Sequence, residues 1–359
     1  MNKFLLIATI ITSVFSGYKI LSSTTLTTLL ALMVIFIYMD RLKFSKVQVV
    51  FMVGFLGYAI LAFVSVGEYY VVQNLRYWFG SILFILLFKV IPPPKIDIYR
   101  YILRIGCYIY ILEALLINTY ISSENIHYLT SDLGHIFFGF YERPVGFTSN
   151  PGTTSVFLIV LSFLIEVIEK RRASISDMFL VITAVVLSVS TTAVLMLFIY
   201  FIFRFVAFST GGFITATVKT LAASIIILFS LFSLLSFGDK IENNQKYSLE
   251  YVNKIVLLKY DTIKDKTDLS FFGSQVDSGV AQTSGDFGLF ILIVVMGGIG
   301  FIIYFLMLSS FWNADYRFLL PLLLLLIGSL HYPSAFSPAG HVLMALIIYG
   351  EGKIKVKLG

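Results

Sequence analysis

The residues with the clearest chemical potential lie in segment 141–152, which reads YERPVGFTSNPG. Its two prolines and two glycines prevent a regular helix, so we predict a fixed, looping backbone that holds Arg143. A guanidinium presents a planar fork of donors that matches phosphate oxygens. The segment therefore predicts a phosphate or diphosphate site at Arg143. The alternative is an ordinary contact between a loop arginine and lipid head groups, because an apolar run follows at once.

Two further polar segments contain groups suited to acid or base chemistry. Asp277 and Asp286 lie in segment 277–288, at the start of another apolar run. Either carboxylate could orient or deprotonate a hydroxyl, although Asp286 is also placed as a helix N-cap. His331 lies in segment 329–341, which is rich in proline and serine. Histidine acts as a general base or acid near neutral pH, whereas a lone histidine in a turn can also be purely structural.

Ionisable residues inside apolar runs are functional candidates, because a charge within a bilayer is costly. Arg76 lies about one and a half turns inside its run, where it would bind substrate or extend toward lipid head groups. Arg104 and Lys219 lie nearer the ends of their runs, which favours extension toward head groups. Glu113 is deeper, and its position suits either neutralisation of a basic neighbour or a proton path.

The composition of the chain is that of a membrane protein. Of its 359 residues, 58% are apolar and 13% are charged, and the mean hydropathy is +0.92. Ordinary soluble domains are about 45–50% apolar and about 25% charged. These values exclude a soluble enzyme, a nucleic-acid-binding protein and a disordered scaffold. The formal charge of +6 is explained by basic cytoplasmic loops before any anionic partner is needed.

The sequence lacks the motifs of nucleotide, zinc and redox chemistry. Cys107 is its one cysteine, which excludes an intrachain disulfide and a multi-cysteine metal site. Neither a phosphate-binding loop of the nucleotide-hydrolysing type nor a His-Glu-x-x-His motif is present. We therefore expect no metal and no cofactor.

The apolar runs predict an all-α polytopic membrane protein with about twelve transmembrane helices, each needing about 20 mostly apolar residues. The whole chain, residues 1–359, is predicted to form a single integral membrane domain. The first run also allows a signal peptide, although no typical cleavage site follows it. The runs are 4–15, 26–39, 47–66, 70–90, 99–120, 153–168, 175–189, 191–205, 213–237, 287–311, 318–330 and 341–349.

The distribution of lysine and arginine predicts which side of the membrane each loop occupies. A cytoplasmic N-terminus places the short basic loops and the C-terminus inside. Two longer loops then lie outside. The first, residues 121–151, contains His135; the second, residues 238–286, contains Lys264 and is the most polar part of the chain. Apolar residues lie among charged ones over 250–266, a pattern that predicts a helix lying at the membrane interface.

The layout resembles the bacterial O-antigen polymerase family, which is related to the O-antigen ligases. The resemblance rests on three short motifs and on the long loop between the second and third. The motifs are residues 143–151 before one run, Ser188-Val189-Ser190-Thr191-Thr192-Ala193 between two runs, and Ser284-Gly285-Asp286-Phe287-Gly288 before a third.

The resemblance implies a fold like that of the GT-C glycosyltransferases and a defined activity. Such proteins join oligosaccharide repeat units of O-antigen or capsular polysaccharide, carried on undecaprenyl diphosphate, at the outer face of the cytoplasmic membrane. Carried over, Arg143 would contact the diphosphate, and Gly146, Asn150 and Pro151 would shape the loop. The partners implied are the lipid-linked oligosaccharide, membrane lipids, a chain-length regulator and a flippase, with no nucleic acid.

The resemblance also implies an inverting, metal-independent transfer. Arg143, helped by Lys264 or Arg76, would stabilise the leaving diphosphate. The incoming sugar hydroxyl would be oriented or deprotonated by one of four residues, namely Asp286, Asp277, His331 and His135. The loop 238–286 contains no histidine, which argues against a ligase, and offers lysines where polymerases often present a second arginine. A lipid-linked oligosaccharide flippase is the competing interpretation, because twelve spans are also a common transporter layout.

Overall fold

The computed structural model describes residues 2–17, 24–66, 68–119, 136–137, 141–142, 144–148, 150–188, 190–208, 288–314, 316–330 and 334–350. Eleven α-helices occur in these ranges. They are α1 (Asn2–Val14), α2 (Thr24–Ile37), α3 (Lys46–Val66), α4 (Glu68–Val90), α5 (Ile96–Thr119), α6 (Pro151–Glu169), α7 (Ile175–Leu187), α8 (Thr191–Ala207), α9 (Gly288–Ser310), α10 (Leu319–Gly328) and α11 (Pro338–Tyr349).

The prediction of an all-α chain is confirmed for the described residues. Each of eleven predicted apolar runs corresponds to one of these helices, and the remaining run, 213–237, lies outside the described residues. The β-structure of the described residues is one short antiparallel ladder between β1 (Ile136–Phe137) and β2 (Tyr141–Glu142). Among the described helices, two are long enough and apolar enough to cross a membrane, namely α5 and α6.

Helix α6 forms the centre of the fold. Every residue from 151 to 167 is buried, and the helix packs against α5, α7, α8, α10 and α11. A helix that is apolar all round has no face suited to water, so complete enclosure by other helices is its stable arrangement. It starts at Pro151, whose missing N–H costs nothing at a first helical position, and it ends at Lys170, which has a φ of 55°.

Three ion pairs join the helices around the C-terminal end of α6. Arg204 on α8 donates from Nε to both carboxylate oxygens of Glu166, at 2.9 and 3.1 Å. Arg104 on α5 donates from Nε to Asp177 on α7 at 2.6 Å, and Arg100 pairs with Glu169. Arg104 was predicted to extend toward head groups, and the structure gives it a carboxylate partner on the neighbouring helix instead.

A second group of helices is centred on α4, which packs against α2, α3 and α11. Its Trp78 is fully buried and meets the ring of Tyr304 from α9 edge-on, with ring centroids 4.5 Å apart. Phe336 also packs against Trp78, with its centroid 5.1 Å from that of Trp78 and 6.3 Å from that of Tyr304. Gly80 allows the closest approach of α11, because a Cβ there would overlap the imidazole of His341.

Helices α10 and α11 are short, with 10 and 12 residues. At 1.5 Å per residue they are about 15 and 18 Å long, about half of the 30 Å hydrocarbon layer of a bilayer. The turn between them is held by Ser329, whose Oγ accepts the N–H of Ala335 at 2.8 Å. Ser13 of α1 donates to the carbonyl of Pro338 at 2.8 Å, which ties the start of α11 to α1.

Candidate functional site

The segment that follows Arg143 is a buried loop between α5 and α6. Residues 144–147 are buried, and the described residues 144–148 and 150 are not helical. The predicted looping backbone is therefore confirmed for residues 144–148 and 150. Burial of a non-helical segment requires internal partners for its backbone groups, because water cannot supply them.

Glu113 on α5 supplies two of these partners. Its Oε1 accepts the N–H of Val145 at 3.0 Å and the N–H of Gly146 at 3.1 Å. Consecutive N–H groups that end on a residue with positive φ form a small concavity that favours anions, and Gly146 has a φ of 81°. From the sequence, Glu113 could neutralise a basic neighbour or take part in a proton path. In the structure it accepts hydrogen bonds from the backbone of the loop.

Gly146 is required by space as well as by its backbone conformation. A Cβ at this position would overlap Thr154 Oγ1 and lie 2.9 Å from the ring of Tyr110. The same Thr154 hydroxyl forms a hydrogen bond with Thr148 Oγ1 at 2.8 Å. It also accepts the backbone N–H of Thr148 at 3.3 Å. The loop is thus packed directly onto the first turn of α6.

Replacing Gly146 with alanine is expected to lower the free energy of unfolding by about 2–4 kcal/mol. The alanine would have to adopt a left-handed backbone conformation, and its Cβ would overlap neighbouring atoms. Denaturant unfolding of the purified protein in detergent measures the change. Gly54→Ala is the matched control, because Gly54 lies inside α3 with no atom within 4 Å of the added Cβ. Equal stability of the two variants would contradict the tight packing of the loop.

Asn150 and Phe147 complete the loop. The side chain of Asn150 caps α6 by accepting the N–H of Thr153 at 3.1 Å, a common role of asparagine before a helix. The ring of Phe147 packs against Phe15, with centroids 5.1 Å apart, and its carbonyl accepts the N–H of Gly17 at 2.8 Å. The end of α1 therefore covers the loop from a third side.

The structure brings together three of the predicted site residues, Gly146, Asn150 and Pro151, at the start of α6. Arg143 lies between Glu142 of β2 and Pro144 of the loop, and is itself outside the described residues. The backbone of Arg76 belongs to α4, while its side chain is outside the described part. The other predicted site residues also lie outside it, namely His135, Lys264, Asp277, Asp286 and His331.

Two polar residues that were not among the predicted site residues, the half-buried Glu113 and the buried His341, make contacts between elements of the fold. Glu113 had a signal in the sequence, as a single acidic residue inside an apolar helix. His341 lies in the first turn of α11, is 5% exposed and faces Gly80 of α4. His341 was less clearly indicated by the sequence. In segment 329–341 the predicted acid or base was His331, ten residues earlier.

The described residues contain no other arrangement with evident chemistry. Within them, no three His, Cys, Asp or Glu side chains come together as metal ligands would. A groove of about 430 Å³ lies between α2, α3 and α4, but its lining is almost entirely apolar. The loop 144–150 is therefore the best candidate site. It offers a rigid support on which a neighbouring cation can be held against an anionic substrate.

Comparison with family models, with curated proteins and with solved structures finds no match for this chain.

Proposed function

We propose that this protein is a polysaccharide polymerase of the cytoplasmic membrane of a bacterium. It joins undecaprenyl-diphosphate-linked oligosaccharide repeat units of O-antigen or capsule at the outer face. The observation that carries this proposal is the buried loop 144–150, whose amides bind Glu113 directly after Arg143. In this proposal Arg143 is the cation that acts from the start of this loop, because a cation held in place stabilises developing charge better than a mobile one.

We propose a polytopic arrangement of about twelve spans, with both termini in the cytoplasm and a fold like that of the GT-C enzymes. The apolar helices of the described residues support its all-helical character. Some neighbouring helices are joined by short connections, as α6 is joined to α7 through residues 170–174. The ion pairs of α5 to α8 lie near the C-terminal end of α6, whereas the loop and Glu113 lie at its N-terminal end. In this arrangement the loop faces outward and the ion pairs face the cytoplasm.

The reaction is a displacement at the anomeric carbon of the growing glycan. A hydroxyl of the incoming repeat unit attacks that carbon, the bond to the diphosphate oxygen breaks, and the configuration inverts. Arg143 stabilises the negative charge that develops on the leaving diphosphate, with Lys264 or Arg76 as a second cation. The proton of the attacking hydroxyl passes to a base, for which Asp286, Asp277, His331 and His135 are the candidates.

Purified protein in detergent, incubated with lipid-linked repeat units and no nucleotide, tests the proposal directly. A ladder of lipid-linked products that differ by one repeat unit is the expected result. Absence of a ladder together with movement of the substrate across liposome bilayers would identify a flippase. Transfer of a finished glycan to a lipid A core acceptor, without any ladder, would identify a ligase.

A further inference from the structure

We propose that the apolar groove between α2, α3 and α4 binds one anionic phospholipid, whose acyl chain lies in the groove and whose phosphate pairs with Lys89. This lipid site requires the membrane placement proposed above, and it does not require the polymerase activity. The observation that carries it is a half-buried lysine at one end of an apolar groove.

The groove has the size and the lining that suit a hydrocarbon chain. Its volume is about 430 Å³, within the range of about 300–1,000 Å³ that is usual for small-ligand sites. On α4 the lining runs from Phe79 to Leu86, a length of about 10 Å. Leu32 of α2 and Leu56 of α3 also line the groove and are 49% and 47% exposed. The groove therefore opens sideways, toward the lipid that would surround these two helices.

A polar cluster lies at one end of the groove. Three helices each contribute one apolar lining residue and, one turn further along, one member of this cluster. These pairs are Leu86 and Lys89 on α4, Met52 and Gln48 on α3, and Met307 and Ser310 on α9. Lys89 Nζ donates to Gln48 Oε1 at 2.9 Å, and Gln48 Nε2 donates to the carbonyl of Ser310 at 3.1 Å. These contacts hold the ammonium group of Lys89 at the end of the groove.

Lys89 carries a positive charge that no carboxylate of the described residues neutralises. The ion pairs found in the described ranges join other side chains. The ammonium group instead lies over the rings of Phe44 and Phe311, with centroids 5.1 and 5.5 Å away. These rings and Gln48 stabilise the cation by neutral contacts, and Gln48 takes one of its three N–H donors. The group that a bilayer offers to such a cation, at the end of an acyl chain, is a phosphate.

The side on which Lys89 lies favours a membrane phospholipid over the polyprenyl substrate. Lys89 is in the last turn of α4, and a short connection leads from there to α5 at Ile96. Arg100 of α5 pairs with Glu169 at the C-terminal end of α6. Lys89 is therefore on the side of the ion pairs, opposite the loop 144–150, where the substrate diphosphate would react. The lipid that reaches Lys89 belongs to the cytoplasmic leaflet.

The charge around this end of the groove favours an anionic head group. Residues 39–41 pack against α4, and the segment 39–46 contains three basic residues and one acidic residue. Basic residues near a membrane surface attract anionic lipids, each by an amount that corresponds to about fivefold in affinity. We therefore expect phosphatidylglycerol to bind better than the zwitterionic phosphatidylcholine.

Lipid competition tests the site in the purified protein. The protein is incubated in detergent with equal amounts of phosphatidylglycerol and phosphatidylcholine, and native mass spectrometry counts the lipids that remain bound. One retained lipid is expected, with phosphatidylglycerol preferred about fivefold. Equal retention of the two lipids, or no retained lipid, would overturn the proposal.

Substitutions of lysine test the contact with the phosphate. Lys89→Gln removes the cation at the end of the groove and should abolish the preference for phosphatidylglycerol, whereas Lys89→Arg should keep it. Lys95→Gln is the matched control, because it removes an exposed lysine of the same side, and it should leave the preference unchanged. Equal losses in Lys89→Gln and Lys95→Gln would show a general attraction to surface charge and would contradict a site at Lys89.

Substitutions by tryptophan test the contact with the acyl chain. Met52→Trp narrows the groove and should lower the retention of both lipids several-fold. Val53→Trp is the matched control, since Val53 is exposed on the same helix and does not line the groove. Equal retention by the two variants would show that the chain lies elsewhere.

Undecaprenyl phosphate is the third competitor, and it separates the two lipid sources. If it displaces phosphatidylglycerol at equal concentration, the groove belongs to the substrate site and the phospholipid proposal is wrong. If phosphatidylglycerol binds as stated but the ladder assay is negative, the proposed polymerase activity is wrong and the lipid site stands. Denaturant unfolding of each variant in detergent shows that the comparison is made between folded proteins.

Discussion

Arg143→Ala is expected to abolish long-chain polymer and to leave single repeat units on the lipid carrier. The guanidinium is the group proposed to stabilise the leaving diphosphate, and loss of one such donor costs about 10²–10³-fold in turnover. Gel analysis of extracted polysaccharide shows the loss of the ladder, and mass spectrometry of the lipid fraction shows the accumulated substrate. The effect should appear in kcat, because the charge on the diphosphate develops as the bond breaks.

Two further variants make the result specific to Arg143. Arg143→Lys keeps the charge and loses the planar fork of donors, so an intermediate rate is expected. Arg171→Ala removes an arginine from the exposed turn after α6, where its partner is Glu169, and should leave the ladder intact. Normal long-chain polymer from Arg143→Ala would remove Arg143 from the mechanism.

Glu166→Ala is expected to lower the free energy of unfolding by about 3–5 kcal/mol, because it leaves the charge of Arg204 largely buried and unpaired. Glu166 is fully buried and the side chain of Arg204 is 14% exposed. The substitution also removes the acceptor for the N–H of Ala173, which lies 2.6 Å from Glu166 Oε1. Denaturant unfolding in detergent measures the change.

The double variant Glu166→Leu with Arg204→Leu identifies the source of this loss. Removal of both charges leaves no unpaired ion, so the pair is expected to be less destabilising than Glu166→Ala alone. The pair of Arg171 and Glu169 provides the comparison. Arg171 is 68% exposed, so Arg171→Ala should cost less than about 1 kcal/mol. A similar cost for Glu166→Ala and Arg171→Ala would show that burial of the Glu166 pair carries no penalty.

The helices could be predicted from the sequence because their signals are local. Apolar runs set their positions, and Asn150-Pro151 and Ser337-Pro338 mark the starts of α6 and α11 with a capping side chain and a proline. The run predicted to start at His341 begins three residues earlier for this reason, since the capping residues are polar or small and do not extend an apolar run.

The partners within the candidate site could not be predicted in the same way. Glu113 binds backbone amides 32 and 33 residues away, and an amide has no signature in a sequence, because every residue except proline carries one. The pair of Arg104 and Asp177 spans 73 residues and depends on how α5 and α7 pack. The sequence identified Glu113 and Arg104 as costly to bury, which is a local property. It left their partners open, because the partners depend on the whole fold.

The enclosure of α6 has a consequence for biosynthesis. Of the helices that surround it, α5 precedes it in the chain, α7 and α8 follow at once, and α10 and α11 are made only after residue 318. A nascent chain therefore exposes one apolar face of its central helix to lipid or to insertion factors until the C-terminal hairpin arrives. A ribosome that stalls after α9 releases a protein with this face uncovered. The core of this protein therefore closes only after α10 and α11 have been made.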